Sequence, residues 1–439
     1  MASTKQAEQT KQATKTKTDI LKPQDIFKTI TALLVVTTPP QGIAQNSIAQ
    51  NSMAQNTMGQ TSMAQNGMAQ NSIVQSPLQP QQTQQPQAPH STDSDTIQRK
   101  SEELSALCQN LGIRVADCLH FNVRTFNSAT YLGTGQVKRL LEKAQELECN
   151  LIVFNNPISP RIQRNLEEAL NIAVVDKQEI ILQIFANSAN TKEAKLQVQL
   201  AQLQYSLPRL QRKWADLSQQ RGGVKGAKGS GEKQLELDRR TAQERIVRLK
   251  REISQIAKNR NIQRRNRTQN DIKNIAIVGY TNSGKSTLLN RLTSANVLAQ
   301  DRLFATLDPT TRRLRLPNGQ TVLITDTVGF VSDLPHQLID AFRSTLEEAA
   351  LADLLLIVLD ASRPDIQICW DTTIQVLSTL NALDKPRLVL LNKIDLLTPS
   401  TIAETTALFY PETCLTLSAT RDNLDPLLNL IERTLASML

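Results

Sequence analysis

Short apolar runs alternate with stretches of helical period through the first part of the chain. Ile30–Val36 reads as a strand, and Pro39-Pro40 stops it. Ser101-Glu102-Glu103-Leu104 opens a helix with acids in its first turn, and Gly112 ends it. Val115–Phe121 predicts a short strand. The glycine turn Tyr131–Gly135 then leads into a helix over Val137–Glu148. Leu151–Phe154 is a buried strand, Ser159-Pro160 caps a helix running to Leu170, and Ile172–Asp176 is again a strand. Glu179–Ala186 is a further helix. Strands alternating with helices predict a parallel sheet.

From Thr191 the period becomes purely helical. Leu196, Leu200, Leu203, Leu207 and Leu210 step 4, 3, 4, 3, with Pro208 expected to end or kink the helix. A glycine-lysine loop spans Arg221–Gly231. Beyond it Ala242, Ile246, Leu249, Ile253 and Ile256 repeat the 4, 3, 4, 3 steps. Two striped helices joined by a loop predict an antiparallel hairpin held by facing stripes. Strands return after residue 272, at Ile275–Val278, Leu323–Asp326, Leu354–Leu359, Leu388–Leu391 and Thr416, and a helix over Leu424–Met438 follows. The expected fold class is α/β. A disordered tail (1–26) precedes an α/β N-terminal domain (27–190), an antiparallel helical hairpin (191–268) and a doubly wound domain (272–439).

Composition narrows the partners. Aromatics are only 3% of the 439 residues, so the cores must be built from Leu, Ile, Val and Ala. Five scattered cysteines, with no C-x-x-C pair, argue against a zinc site or a disulfide framework. No apolar run reaches the length of a membrane span. The first residues lack the apolar core of a secretory signal. Glu8, Asp19 and the absence of Arg count against an organelle transit peptide. Between residues 39 and 95 lies an insertion carrying a repeat of period five, IAQNS to MAQNS, from Ile43 to Ser72. One apolar residue in five, with no charge from Gly42 to Ala88, cannot bury enough surface to offset ordering. The segment reads as flexible, with a five-residue β-solenoid as the alternative.

The positive charge is local. Residues 209–267 carry 18 Lys and Arg against 6 Asp and Glu, a net +12 in a chain whose total is +9. A one-signed hairpin with a basic glycine loop at its tip suits a phosphate backbone better than an ordinary solvated helix face. Arg221, Lys225 and Lys228 are the candidate contacts. Without aromatics among the charges, stacking on single strands is not expected; structured RNA read by shape and phosphate fits better than a sequence motif, and DNA is not an expected partner.

Gly279-Tyr280-Thr281-Asn282-Ser283-Gly284-Lys285-Ser286-Thr287 is a complete G-x-x-x-x-G-K-[ST] loop between an apolar strand and a helix start. Its backbone N–H groups and the helix N-terminus attract phosphates. Lys285 is expected to reach the β- and γ-phosphates, and Ser286 to offer its hydroxyl to Mg²⁺. Asp326-Thr327-Val328-Gly329 is D-x-x-G at a strand end: Asp326 would hold Mg²⁺ through water, and the Gly329 N–H would meet the γ-phosphate. In Asn392-Lys393-Ile394-Asp395, the carboxylate can accept from guanine N1–H and the exocyclic amine together, a pair adenine lacks. Ser418-Ala419-Thr420 has the form that seals guanine O6 with a backbone N–H. These motifs in this order indicate a GTPase. The residue after D-x-x-G is Phe330, where many GTPases place a water-orienting Gln, and Val331 offers no substitute. Arg312, Arg313 and Arg315 are the arginines near enough in sequence to act internally, and no catalytic residue is assigned.

The block Phe304-Ala305-Thr306-Leu307-Asp308-Pro309-Thr310-Thr311-Arg312, with Asp326–Phe330 and Gly279–Asn282, resembles the HflX family of ribosome-associated GTPases. Glu193–Ala201, Gly229–Glu232 and Asp238-Arg239-Arg240 resemble its hairpin signatures, and the likeness covers about residues 100–439. A monomeric cytoplasmic protein is expected, with partial membrane association as the alternative. The resemblance implies a GTPase that binds the large ribosomal subunit and splits or rescues stalled ribosomes. An assembly or RNA-binding factor without splitting activity is the alternative. It also implies that Thr306 closes on Mg²⁺ and the γ-phosphate, supporting the transition state with Lys285. Some members bind ATP through the N-terminal domain. Here Gln136 and Lys177 depart from that pattern, Ser230 departs in the hairpin loop, and no adenine site is legible.

Overall fold

The computed structural model describes residues 30–38, 93–220, 228–268, 272–293, 303–304, 307–331 and 343–438. The tail, nearly all of the repeat insertion, Arg221, Lys225, Ala305 and Thr306 lie outside these residues.

The N-terminal elements are β1 (Thr31–Thr38), α1 (Asp93–Asn110), β2 (Arg114–Asn122), α2 (Thr134–Glu146), β3 (Leu151–Phe154), α3 (Pro160–Leu170), β4 (Ala173–Asp176) and α4 (Lys177–Ser188). The strands pair in parallel in the order β2-β1-β3-β4. Ala32 to Val36 are each 0% exposed, because helices cover both faces. Leu104, Leu107, Ile181 and Phe185 pack on the side of Leu34 and Val153. Leu140, Ile162 and Leu166 pack on the side of Leu33, Val35 and Ile152. The first helix begins at Asp93, not at Ser101. Its added turns carry Asp93 and Asp95, acids suited to a helix N-terminus, but little apolar periodicity to betray them.

The hairpin consists of α5 (Lys192–Gln220) and α6 (Lys228–Thr268), which pack against each other. Two expectations change here. Pro208 does not end the first helix but sits inside it. It gives up one backbone hydrogen bond while its neighbours Tyr205 and Arg209 anchor the helix on either side. The connecting loop is also shorter than Arg221–Gly231, since α6 already begins at Lys228. The deepest face of α5 is not the leucine stripe. Ala194, Val198, Ala201 and Tyr205 enter the N-terminal core, whereas of the leucine stripe Leu200 is buried and Leu196, Leu203 and Leu207 are half-buried.

The remaining elements are β5 (Asn274–Val278), α7 (Lys285–Thr293), β6 (Thr310–Arg315), β7 (Thr321–Asp326), α8 (Arg343–Ala350), β8 (Leu354–Asp360), α9 (Ile366–Thr379), β9 (Arg387–Asn392), α10 (Pro399–Ala407), β10 (Cys414–Thr416) and α11 (Asp425–Ala436). The sheet order is β10-β9-β8-β5-β7-β6, parallel except for the β6–β7 pair. Leu346, Ala349, Cys369 and Val376 pack on one face with Val278 and Ile357. Leu288, Leu289, Leu427 and Ile431 pack on the other with Ile277 and Leu356. This is a doubly wound sheet. Its phosphate loop follows the central strand β5, where crossovers leave on opposite sides and a crevice opens beyond the strand ends.

Candidate functional site

Strand β5 is buried on both faces and delivers the loop 279–284 to the N-terminus of α7. Asn282 takes φ 60° and Gly284 φ 96°, which turns the chain tightly into the helix. The ammonium of Lys285 donates to the carbonyls of Gly279 (3.1 Å) and Tyr280 (2.7 Å), folded back across its own loop. Burial lowers its pKa to about 8, against the opposing pull of Asp326. Ser286 donates its hydroxyl to Asp326 Oδ2 at 2.6 Å, so the two oxygens expected at a Mg²⁺ already sit together.

The D-x-x-G segment lies against this loop. Thr327 Oγ1 donates to the Ile277 carbonyl at 2.7 Å. At Gly329 a Cβ would stand 2.7 Å from Thr281 Cα and 3.1 Å from Lys285 Nζ, so only glycine permits the approach. Phe330 N donates to the Gly279 carbonyl (3.1 Å), and the Phe330 carbonyl accepts from Thr281 N (2.7 Å). The Phe330 ring and Val331 are buried. Arg312, Arg313 and Arg315 stand exposed on β6.

At the other end, Asn392 is buried and spans two loops. Its Nδ2 donates to the Ser283 carbonyl and its Oδ1 accepts from Ala419 N, both at 2.8 Å. Lys393 adopts φ 63° and pairs with Asp360 at 2.8 Å. Arg421 Nε lies 3.3 Å from Asp395 Oδ2. The turn at Ser418–Thr420 is held by Asp422, whose Oδ2 accepts from Ser418 N at 2.6 Å. Arg291 of α7 also holds it, donating to the carbonyls of Ala419 (3.1 Å), Thr420 (2.5 Å) and Asp422 (3.0 Å). The four motifs therefore converge on one crevice, although more than a hundred residues separate Gly279 from Asp395.

The described part of the block around Thr306 reaches two ways: Phe304 and Leu307 are buried, Phe304 N donates to Thr281 Oγ1 of the phosphate loop at 2.9 Å, and Asp308 bonds to the base of the hairpin. Lys228 is the first residue of α6.

A family model described as GTP-binding GTPase N-terminal matches residues 98–186, and one described as GTP-binding GTPase Middle Region matches 188–267. A third, described as 50S ribosome-binding GTPase, matches 274–393. A GTPase HflX from Treponema denticola is 46% identical over 316 residues, covering 68% of this chain and 81% of that protein. The chain belongs to the HflX family of GTPases. It is a GTP hydrolase, and GTP is its substrate. The HflX of Lacrimispora saccharolytica is 43% identical over 344 residues, 78% of this chain and 80% of that relative. A solved GTP-binding protein from the archaeon Sulfolobus solfataricus, in complex with GDP, is similar at TM-score 0.42 and 25% identity over 78% of this chain and 97% of that one.

Sequence reasoning missed several groups that hold this HflX-family site in place. Tyr280, inside the phosphate loop, donates its hydroxyl to Glu103 of α1 at 2.7 Å. Glu103 is ion-paired with Lys177 at the start of α4. Lys177, one of the departures from the family pattern, is thus a buried structural cation. Gln136, another, accepts from Gly133 N at 3.0 Å and donates to the Asn122 carbonyl at 3.1 Å. The Glu103–Lys177 and Gln136–Asn122 pairings were not legible in the sequence, because the partners lie on different elements, whereas Gly133–Gln136 is a local contact at the start of α2. Arg291 and Asp422 gave no signal, since each sits among other polar residues of its helix or turn.

Proposed function

We propose that this GTPase binds the large ribosomal subunit through its hairpin and, in the GTP state, splits or rescues stalled ribosomes. The carrying observation is the outer face of α6, where Arg239, Arg240, Arg245, Arg248, Lys250 and Arg251 are all exposed. Arg240 and Arg248 are partly neutralised by Glu244 and Glu252 at 2.9 Å, but the face remains one-signed in its excess. Such a surface meets ribosomal RNA through phosphates. The tip residues Arg221, Lys225 and Lys228 extend the same charge. The ribosome-binding description of the model matched by residues 274–393 supports the same partner. Among the described residues no helix is long and apolar enough to cross a membrane, and the reading places a monomer in the cytoplasm.

Within the site, Lys285 would leave the Gly279 and Tyr280 carbonyls for the β- and γ-phosphates, and Asp395 would read guanine. Residues 279–287, 304–308, 326–329, 392–395 and 418–420 form the nucleotide crevice in this reading. Mg²⁺ fits the donors present: Ser286 Oγ and Asp326 are hard oxygens already in contact, and this ion needs only one or two protein oxygens beside substrate phosphates. When bound it would neutralise charge developing on the β- and γ-phosphate oxygens. Thr306 would complete the set.

Sucrose-gradient sedimentation of whole ribosomes with the protein and GTP, GDP or a non-hydrolysable analogue tests the reading. Conversion of 70S particles to subunits with the triphosphate, and not with GDP, is expected. Binding without dissociation would replace splitting by an assembly role. Binding should weaken steeply with salt, and Arg245→Ala with Arg251→Ala should reduce the slope of log affinity against log salt by about 1–2.

A further inference from the structure

The turn at 418–422 sits beside Asn392, and its backbone groups can be accounted for one by one. Ser418 N donates to Asp422 Oδ2 at 2.6 Å, and Ala419 N donates to Asn392 Oδ1 at 2.8 Å. Arg421 N and Asp422 N both donate to the Ser418 carbonyl, at 3.2 and 3.0 Å. Among the described residues, no group accepts from Thr420 N. The carbonyls of the turn converge on one side chain instead. Arg291 Nη1 donates to those of Ala419 (3.1 Å) and Thr420 (2.5 Å), and its Nη2 donates to that of Asp422 (3.0 Å).

Arg291 lies in the last turn of α7, whose first residue is Lys285. The helix that begins at the phosphate loop therefore ends by fixing this turn. A guanidinium is a planar fork that stays charged, and it suits several carbonyls held in a fixed array. Such charge-assisted bonds are stronger than neutral ones. Peptide planarity carries the effect onward. The Ala419 carbonyl and the Thr420 N–H belong to one trans peptide, so they point in opposite directions. With the carbonyl turned to Arg291, the N–H is turned away from it. The cation also polarises that peptide, which makes its N–H a better donor. The product is one oriented, unused N–H close to the loop 392–395. Guanine offers the acceptor O6 to such a donor, whereas adenine carries an amine at that position.

We propose that Arg291 is a positioning residue for base selection: it orients the Ala419–Thr420 peptide so that the Thr420 N–H meets guanine O6. The inference rests on the reading of 392–395 and 418–420 as the base pocket. It adds the group that tells a carbonyl from an amine, beside Asp395, which reads N1–H and the exocyclic amine.

Affinities of the full chain for GDP, 6-thio-GDP and inosine diphosphate test this. The thio analogue keeps N1–H and the amine but replaces O6 by sulfur, a weak acceptor. Inosine diphosphate keeps O6 and lacks the amine. Wild type should prefer GDP over 6-thio-GDP by about fivefold, the value of one hydrogen bond. Arg291→Ala should weaken GDP binding by about the same factor and leave 6-thio-GDP nearly unchanged, so that preference falls to about one. The preference for GDP over inosine diphosphate should not move. A mere bracing role would weaken all three nucleotides alike and keep both preferences. Arg291→Lys retains the charge without the fork and should keep part of the first preference, which gives a second reading if the alanine variant does not fold. Asp395→Asn tests the pocket itself and should lower the preference for GDP over inosine diphosphate. If it does not, the base-pocket reading fails. If it does, while Arg291→Ala and Arg291→Lys keep the full wild-type preference for GDP over 6-thio-GDP, the role of Arg291 alone is overturned. A wild type that binds GDP and 6-thio-GDP equally would overturn it as well.

Discussion

Asn392 donates its side-chain amide to the Ser283 carbonyl at 2.8 Å, so the loop at the base end of the crevice holds the loop at its phosphate end. The same amide leaves no room beside it: a Cβ on Gly284 would lie 2.2 Å from Asn392 Nδ2. Asn392→Ala removes this bond and the one to Ala419 N, both buried. Two such bonds are worth about 1–3 kcal/mol together, so GTP affinity should fall roughly tenfold to a hundredfold. Gly284→Ala should lose binding as well, since φ 96° and the clash act together. Titration with a fluorescent guanine nucleotide checks both. Wild-type affinity in Asn392→Ala would show that the two loops hold their places without the bond.

Asp395→Asn should weaken GTP binding by about 10–100-fold and raise the relative affinity for xanthine nucleotides. The change replaces one of two acceptors by a donor, which suits the xanthine oxygen where guanine has an amine. Competition between GTP and XTP measures the exchange of preference. An unchanged ratio would remove Asp395 from the base pocket.

Most of the candidate site's layout was legible because each motif is local. Gly279–Thr287, Asp326–Gly329 and Asn392–Asp395 each sit at a strand end, and strands in a parallel sheet bring their ends together. What was not legible depends on elements meeting. Ala194, Val198, Ala201 and Tyr205 step at helical spacing as well as the leucines do, yet only the fold shows that α5 serves two partners. Glu103, Lys177 and Tyr280 form one buried cluster from three distant stretches. Asp308 stood out as part of a family block, but its attachment to Thr191 could not be read from the block itself. The helix start at Asp93 was missed for the opposite reason, because its first turns are polar and carry no period.

Beneath the hairpin, Tyr205 Oη lies 2.9 Å from Asp176 Oδ1 and 3.2 Å from Glu179 Oε2. The hydroxyl has one proton for two carboxylates. Arg209 donates to Asp176 Oδ2 at 3.2 Å, and Glu167 stands near enough to Glu179 to add repulsion. Burial first, then the Asp176 charge, raises the Glu179 pKa. A carboxyl whose pKa is raised on folding is least costly when protonated. Its favourable contribution is complete below its unfolded value and is lost as pH rises through the folded one. Glu179→Gln fixes the neutral state. It should raise Tm by about 2 °C at pH 8 and have no effect near pH 4. A gain of equal size at both pH values would mean that charge is not the cause.

Hydrolysis needs an oriented water, and the residue after D-x-x-G cannot supply the orientation. Phe330 has no polar side-chain atom, its ring is 1% exposed, and both its backbone groups are bound to Gly279 and Thr281. Val331 is 0% exposed. Arg312, Arg313 and Arg315 stand out in solvent on β6, and Arg312 donates to its neighbour's carbonyl at 2.9 Å. Free protein should therefore bind GTP well and turn it over slowly. Docking on a large partner through the hairpin would supply the missing group or order the loops that carry Thr306. Supplied groups in other GTPases are worth roughly 10³–10⁵ in rate. Large ribosomal subunits should accordingly raise turnover by at least about tenfold, a floor well below that range. Deleting Gly222–Gly231 should remove most of the gain while leaving GTP affinity unchanged, because that stretch lies outside every nucleotide motif in the sequence. Phosphate release, measured with and without subunits for both proteins, decides the matter. Fast turnover in the absence of subunits would place a water-orienting group inside the chain itself.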